Sequence, residues 1–247
     1  MFRYIAFILY LFSVFCNPLI ALEWWDEKPY IHWSEEQVLT VLEDSPWVGL
    51  STAGARRINS KWIPVFYRVR LLTAKPIREA YLRRISLNYG TAIDVRDLDM
   101  SEAERQQSRI KNFIASDPNS FLIEGDNEFI AILLTLRVGS QPSYVGVYQT
   151  WREEFYGDEL PPTDPSKLIK NTKLETDTGK RLELFTYVPS GPDHYGAKFL
   201  FKRRLPDSTY IITEGDKELR FETRFNSHKI KVRFDLTKMR YRGKLEY

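Results

Sequence analysis

The stretch Leu219-Arg220-Phe221-Glu222-Thr223-Arg224-Phe225-Asn226-Ser227-His228-Lys229-Ile230-Lys231-Val232-Arg233-Phe234-Asp235-Leu236 decides the fold. Leu219, Phe221, Thr223 and Phe225 alternate with Arg220, Glu222 and Arg224. After Asn226-Ser227 the alternation resumes, with Ile230, Val232, Phe234 and Leu236 against Lys231, Arg233 and Asp235. Successive side chains of a strand point to opposite faces, so this period of two predicts two strands, each with one apolar and one charged face. A polar corner between them makes the pair a hairpin, and its apolar face demands a covering layer.

Upstream, Gly196 to Arg203 and Thr209 to Thr213 read as strands before a turn at Gly215-Asp216, while Leu168 to Leu174 and Arg181 to Val188 flank a turn at Asp177 to Gly179. Strands at such short spacing predict an antiparallel sandwich or strongly curved sheet for the C-terminal half. Phe129 to Leu134 is apolar on both faces, which suits a central, doubly covered strand, expected to pair with Phe121 to Glu124 across Gly125-Asp126-Asn127. Trp62 to Leu72 alternates as well, with Val65, Tyr67, Val69 and Leu71 set against Phe66, Arg68 and Arg70.

The N-terminal part adds helices. Ser34 and Gln37 have capping-box spacing, Trp33 and Val38 suit a hydrophobic staple, and Ser45-Pro46 ends a helix over Glu35 to Asp44. Lys75-Pro76 opens a second helix with Ile77, Ala80, Tyr81 and Ile85 as its buried stripe, Arg78, Arg83 and Arg84 as its wet side, and Asn88 to Gly90 as its stop. A third begins at Ser101, capped by Glu104, buries Ile110, Phe113 and Ile114, and ends before Asp117-Pro118. Leu22 to Tyr30 reads as an extended lead-in, and Tyr144 to Tyr156 carries no decisive period. The fold class is therefore α+β, with N-terminal helices and a sheet and a C-terminal half that is mostly antiparallel β. Residues 22–247 form a single mature domain, with a subdivision near 160 at Pro161-Pro162-Thr163-Asp164-Pro165 as the alternative.

Residues 1–21 read as a secretory signal peptide: Arg3, an apolar run from Tyr4 to Phe15, and Ala21 before a cleavable bond. That run is short for a spanning helix, which needs about 20 apolar residues. Retention as an anchor and lipidation at Cys16 are the alternatives, the second disfavoured because Phe15 stands where a small residue is required. Cys16 is the chain's single cysteine, so the mature protein has no thiol nucleophile, disulfide or cysteine metal ligand. The expected location is secreted or periplasmic.

The whole chain carries +3, but from Lys198 to Tyr247 there are 14 basic against 7 acidic residues. Such a split fits an anionic envelope ligand, a glycan or an acidic partner protein, but fits better the wet face of a sheet, where charges alternate with apolar residues. Export argues against nucleic acid, and membrane contact is expected only during export. His32, His194 and His228 share no ligand spacing, and Asp94, Asp97, Asp99, Glu102 and Glu104 lack the glycine of a calcium loop. No metal or cofactor is expected. Asp193-His194 beside Ser190 lacks a nucleophile elbow, and Glu124, Asp126 and Glu128 across a turn do not establish a glycosidase pair. Of the tryptophans, Trp24 and Trp25 are the pair to suspect for binding; Trp33 and Trp47 read as packing.

Five segments in order, Lys28-Pro29-Tyr30 with Trp33, Asp44-Ser45-Pro46-Trp47, Ala74-Lys75-Pro76-Ile77-Arg78-Glu79-Ala80, Phe199-Leu200-Phe201-Lys202-Arg203, and Met239 with Gly243-Lys244-Leu245-Glu246, resemble a group of uncharacterised secreted bacterial proteins. Lys202 departs from the group's pattern, which has proline there. The resemblance implies export and a shared fold and carries over no activity or catalytic residue. The expected function is a non-catalytic binding or envelope-assembly module, with no catalytic residue assigned. The alternative is a hydrolase using Glu124, Asp126 or Asp193 with His194.

Overall fold

A computed structural model describes residues 23–58, 60–87, 101–116, 128–138, 166–189, 196–225 and 228–247. The C-terminal hairpin forms as its alternation requires: β8 (Glu218–Phe225) and β9 (His228–Asp235) pair antiparallel, Leu219 opposite Phe234 and Phe221 opposite Val232. Leu219, Phe221, Phe225, Ile230, Val232 and Phe234 are buried, and Arg220, Arg224, Lys229, Lys231 and Arg233 are exposed. With β4 (Lys173–Thr176) and β5 (Arg181–Glu183) they make a four-stranded sheet in the order β5-β4-β8-β9. A second sheet covers its apolar face. That sheet holds β1 (Val48–Ile58), β2 (Lys61–Leu71), β3 (Phe129–Val138), β7 (Ala197–Lys202) and β6 (Thr186–Val188), in the order β1-β2-β3-β7-β6.

Rings join the two sheets. Phe199 meets Phe221 edge to face at 5.4 Å and Phe225 at 6.0 Å, Phe201 meets Phe221 at 6.2 Å, and Tyr67 meets Phe225 at 6.0 Å. Edge-to-face contacts of this kind add about 0.5 to 1.5 kcal/mol each beyond the area they bury. At one side the chain itself crosses between sheets through Leu184-Phe185. At the other, β1 lies so close to β9 that a β-carbon on Gly49 would overlap Val232 Cγ1, and Lys231 N donates to Ser51 Oγ. Among the described residues every strand pair is antiparallel, and the sheets do not close into a barrel. β3 is the central strand, with β2 on one edge and β7 on the other.

Among the described residues the helical elements are α1 (Trp24–Glu27), a 3-10 turn (Tyr30–His32), α2 (Glu35–Glu43), α3 (Lys75–Leu87), α4 (Glu102–Ser116) and α5 (Ser166–Ile169). Ser34 caps α2 through a full capping box with Gln37, and Ser101 and Glu104 exchange bonds at the start of α4. The C-terminal end of α2 closes over the second face of the larger sheet, where Arg70 Nε donates to Leu42 O.

Several expectations are corrected. Leu22 to Tyr30 is not all extended, because Trp24–Glu27 turns into α1. Leu168 starts within α5 instead of a strand, and β4 begins only at Lys173. Arg181 to Val188 is two strands in different sheets, broken where Phe185 N turns to donate to Leu200 O. Thr209 to Thr213 contributes one bridge, Tyr210 to Arg204, and no strand. Arg78 and Arg83 are only partly exposed, because they donate back to Thr73 O and Trp33 O. The arm expected over Phe121 to Glu124 and the helix stop at Asn88 to Gly90 lie outside the described residues.

Candidate functional site

The alternation of β2 puts Arg68 and Arg70 on the face opposite Tyr67 and Val69, and that face is buried: Arg68 has 0% of its surface exposed. Burying a guanidinium costs several kcal/mol unless a carboxylate and further acceptors compensate. Glu43, the last residue of α2, ion-pairs with both arginines, the Arg70 contact at 2.9 Å, and Arg70 also donates to Thr135 Oγ1 at 3.1 Å. Lys198 of β7 is buried on the same face. One carboxylate thus ties two strand arginines to the helix end. This cluster is structural, since it lies under α2.

A second convergence surrounds the C-terminal segment. Trp47 Nε1 donates to Glu246 O at 2.8 Å, Arg203 donates to Tyr247 O at 2.9 Å and stacks on its ring at 4.6 Å, and Arg242 N donates to Asp26 at 2.5 Å. Tyr241, whose hydroxyl donates to Glu79, has its phenol pKa raised by burial and by that carboxylate. Burial lowers the Arg78 guanidinium from its ordinary value against the pull of Glu246 and Glu79. The five segments of the secreted-protein resemblance contribute Trp33, Trp47, Glu79, Arg203 and Glu246 to this region. They hold the fold together.

The third place is open. Among the described strands β5 is at the edge of the smaller sheet, and beside it runs a groove of about 630 Å³ lined by Arg181, Leu184, Phe185, Lys202, Arg204 and Glu128 among others. Phe185 is 52% exposed, its ring 5.2 Å from that of Phe129. Lys202 Nζ sits 4.4 Å from both ring centroids and pairs with Glu128, so a cation covers two aromatic faces. On the far wall Arg204 stacks at 3.9 Å on Tyr210 and donates to its hydroxyl at 2.6 Å. The position that departs from the resemblance, Lys202, is therefore the centre of this groove.

The suspected residues scatter. Trp25 is only 6% exposed, and the partly buried Trp24 packs on Trp25 and Trp33 at 5.3 and 5.5 Å, so the two rings are not exposed together as expected. His32 is exposed in the 3-10 turn, and His228 is half-buried with its ring 5.6 Å from that of Tyr67, not free at a corner. Glu102 and Glu104 belong to the start of α4, where Ser101 hydrogen bonds lower the Glu104 pKa. Glu128 pairs with Lys202. Asp94, Asp97, Asp99, Glu124, Asp126, Ser190, Asp193, His194 and Trp151 lie outside the described residues. Among the described residues no three His, Cys, Asp or Glu side chains gather as metal ligands, and no helix is long and apolar enough to cross a membrane. Sequence reasoning missed Phe185 and Arg204; an isolated phenylalanine between two strand runs gives no periodic signal. Comparison with protein-family models, curated proteins and solved structures finds no match.

Proposed function

We propose that the chain is an exported, non-catalytic binding module of the uncharacterised secreted group it resembles, and that it engages an extended segment of a partner protein in the groove beside β5. The observation that carries this is Phe185: a large apolar side chain, more than half exposed, packed between Phe129 and the Lys202 ammonium. An aromatic side chain has few rotatable bonds and loses little conformational entropy on binding, which is the property of an interface anchor. The edge of β5 offers main-chain groups to an added strand. Lys202 is neutralised by Glu128 and Arg181 by Glu183 at 2.8 Å, whereas Arg204 has Tyr210 and a backbone oxygen as partners, so an acidic residue of the segment would be received at Arg204.

The test places p-benzoylphenylalanine at position 185, with the same photoreactive residue at the exposed Lys217 position as control, in cells that make and export the protein. A discrete adduct from 185 and none from 217 is expected, on a chain whose mass begins near Leu22. Irradiation that yields no adduct from 185, or the same adducts from both positions, refutes the groove as a protein-binding site.

A further inference from the structure

Among the described residues β2 pairs with β3 from Val65 to Leu71, while β1 and β2 stay paired with each other to Ile58 and Lys61. The tip turns through Ser60, whose φ of +66° is the left-handed conformation a tight hairpin requires. Along one face of this ribbon Leu50, Phe66, Pro64 and Trp62 follow one another by register, Leu50 opposite Arg68 and Thr52 opposite Phe66. Trp62 is 71% exposed and Leu50 48%. An exposed apolar stripe running to a ribbon tip is costly in water and marks a contact surface.

Charge tells what contacts it. From Ser45 to Arg78 the chain has no acidic residue, and the ribbon carries Arg56, Arg57 and Lys61, with Arg57 in register with Trp62. The ribbon passes the β8-β9 corner, since Ser51 Oγ accepts from Lys231 N and Tyr67 stacks on His228, and at that corner Arg224 stands opposite an exposed Lys229. Tryptophan at the tip of a cationic arm is what an interface of apolar chains and negative headgroups accepts: the indole sits at headgroup level and the cations meet the phosphates.

We propose that the β1-β2 tip docks the protein on an anionic phospholipid surface, Trp62 entering the interface and Lys61 meeting the headgroups. This is independent of the groove and extends membrane contact beyond the export step.

Co-sedimentation of the exported chain with vesicles of phosphatidylcholine, with and without phosphatidylglycerol, tests it. Pelleting is expected with the anionic vesicles alone and should fade at about 1 M salt, where screening is short-ranged. Trp62→Ala should weaken binding about tenfold and Lys61→Ala about fivefold. Both residues are exposed, so the unfolding midpoints of these variants should match the parent, which separates lost docking from lost folding. Absence of pelleting, equal pelleting on neutral vesicles, or no effect of Trp62→Ala overturns the proposal. So does gel filtration showing a dimer that Trp62→Ala dissociates, because the stripe would then be covered by a second copy.

Discussion

Asp216 is an acid held in place by four donors: Lys180 Nζ at 2.8 Å, Thr178 Oγ1 at 2.5 Å, and the Thr213 amide and hydroxyl at 2.7 and 2.8 Å. Burial by itself would raise its pKa, but the bonds from Lys180, Thr178 and Thr213 together outweigh burial and hold it well below the usual carboxylate range. A carboxyl whose pKa falls on folding stabilises the fold above its unfolded value of about 3.9, and that stability drains as pH falls toward the folded value. Asp216→Asn should therefore cost about 1 to 3 kcal/mol at neutral pH, the scale of lost charge-assisted hydrogen bonds. The gap between variant and parent, measured by denaturant unfolding, should shrink below about pH 4. A gap that is constant or grows in acid contradicts the assignment. Nothing in Thr213-Glu214-Gly215-Asp216 beyond a turn signature announced this network, because Lys180 and Thr178 come from the preceding hairpin.

At the scale of elements, the C-terminal hairpin states its own faces. Phe234 is buried against the second sheet, so Phe234→Ala should cost about 3 to 5 kcal/mol. Lys231 lies on the outer face with its ammonium 3.3 Å from Glu222, a pairing of the exposed kind, so Lys231→Ala should change stability by less than about 1 kcal/mol. Comparable losses at the two positions would mean that the register is wrong. On the outer face part of the basic charge of the C-terminal segment is paired: Arg220 with Glu218, and Lys229 and Lys231 with Glu222. Elements with a period were legible, as in β2, β8, β9 and the capped helices. β1 was not, because Gly49-Leu50-Ser51-Thr52-Ala53-Gly54 has no alternation and owes its strand to pairing with β2 and to the narrow approach of β9 that only glycine at 49 allows. The switch of sheets at Leu184-Phe185 was hidden for the same reason. It is set by the partner strand, through the bond to Leu200 O, and not by local preference.

On the scale of the molecule, the two sheets share one aromatic core, and the C-terminal segment closes it from the side. Trp47, fully buried after α2, gives its indole N–H to Glu246 O, and Arg203 at the end of β7 gives its guanidinium to Tyr247 O and its face to the Tyr247 ring. Elements separated by 199 residues meet here, which no local pattern reveals. The groove has the same character, since Lys202 and Glu128 are 74 residues apart, and so its site was invisible in the sequence while the surrounding strands were plain. Removing Glu246 and Tyr247 would leave a buried indole N–H and a partly buried guanidinium without these acceptors. Each such loss costs about 1 to 3 kcal/mol, so the truncated chain should be destabilised by about 2 to 5 kcal/mol in urea unfolding. Trp47→Phe, which removes the donor together with its demand, should cost less than the truncation. A truncated chain that unfolds at the parent's midpoint would show the segment to be a surface tail. The larger loss at the far end of the chain, with capture at Phe185 unchanged in the surviving folded fraction, would separate what maintains the sandwich from what the groove binds.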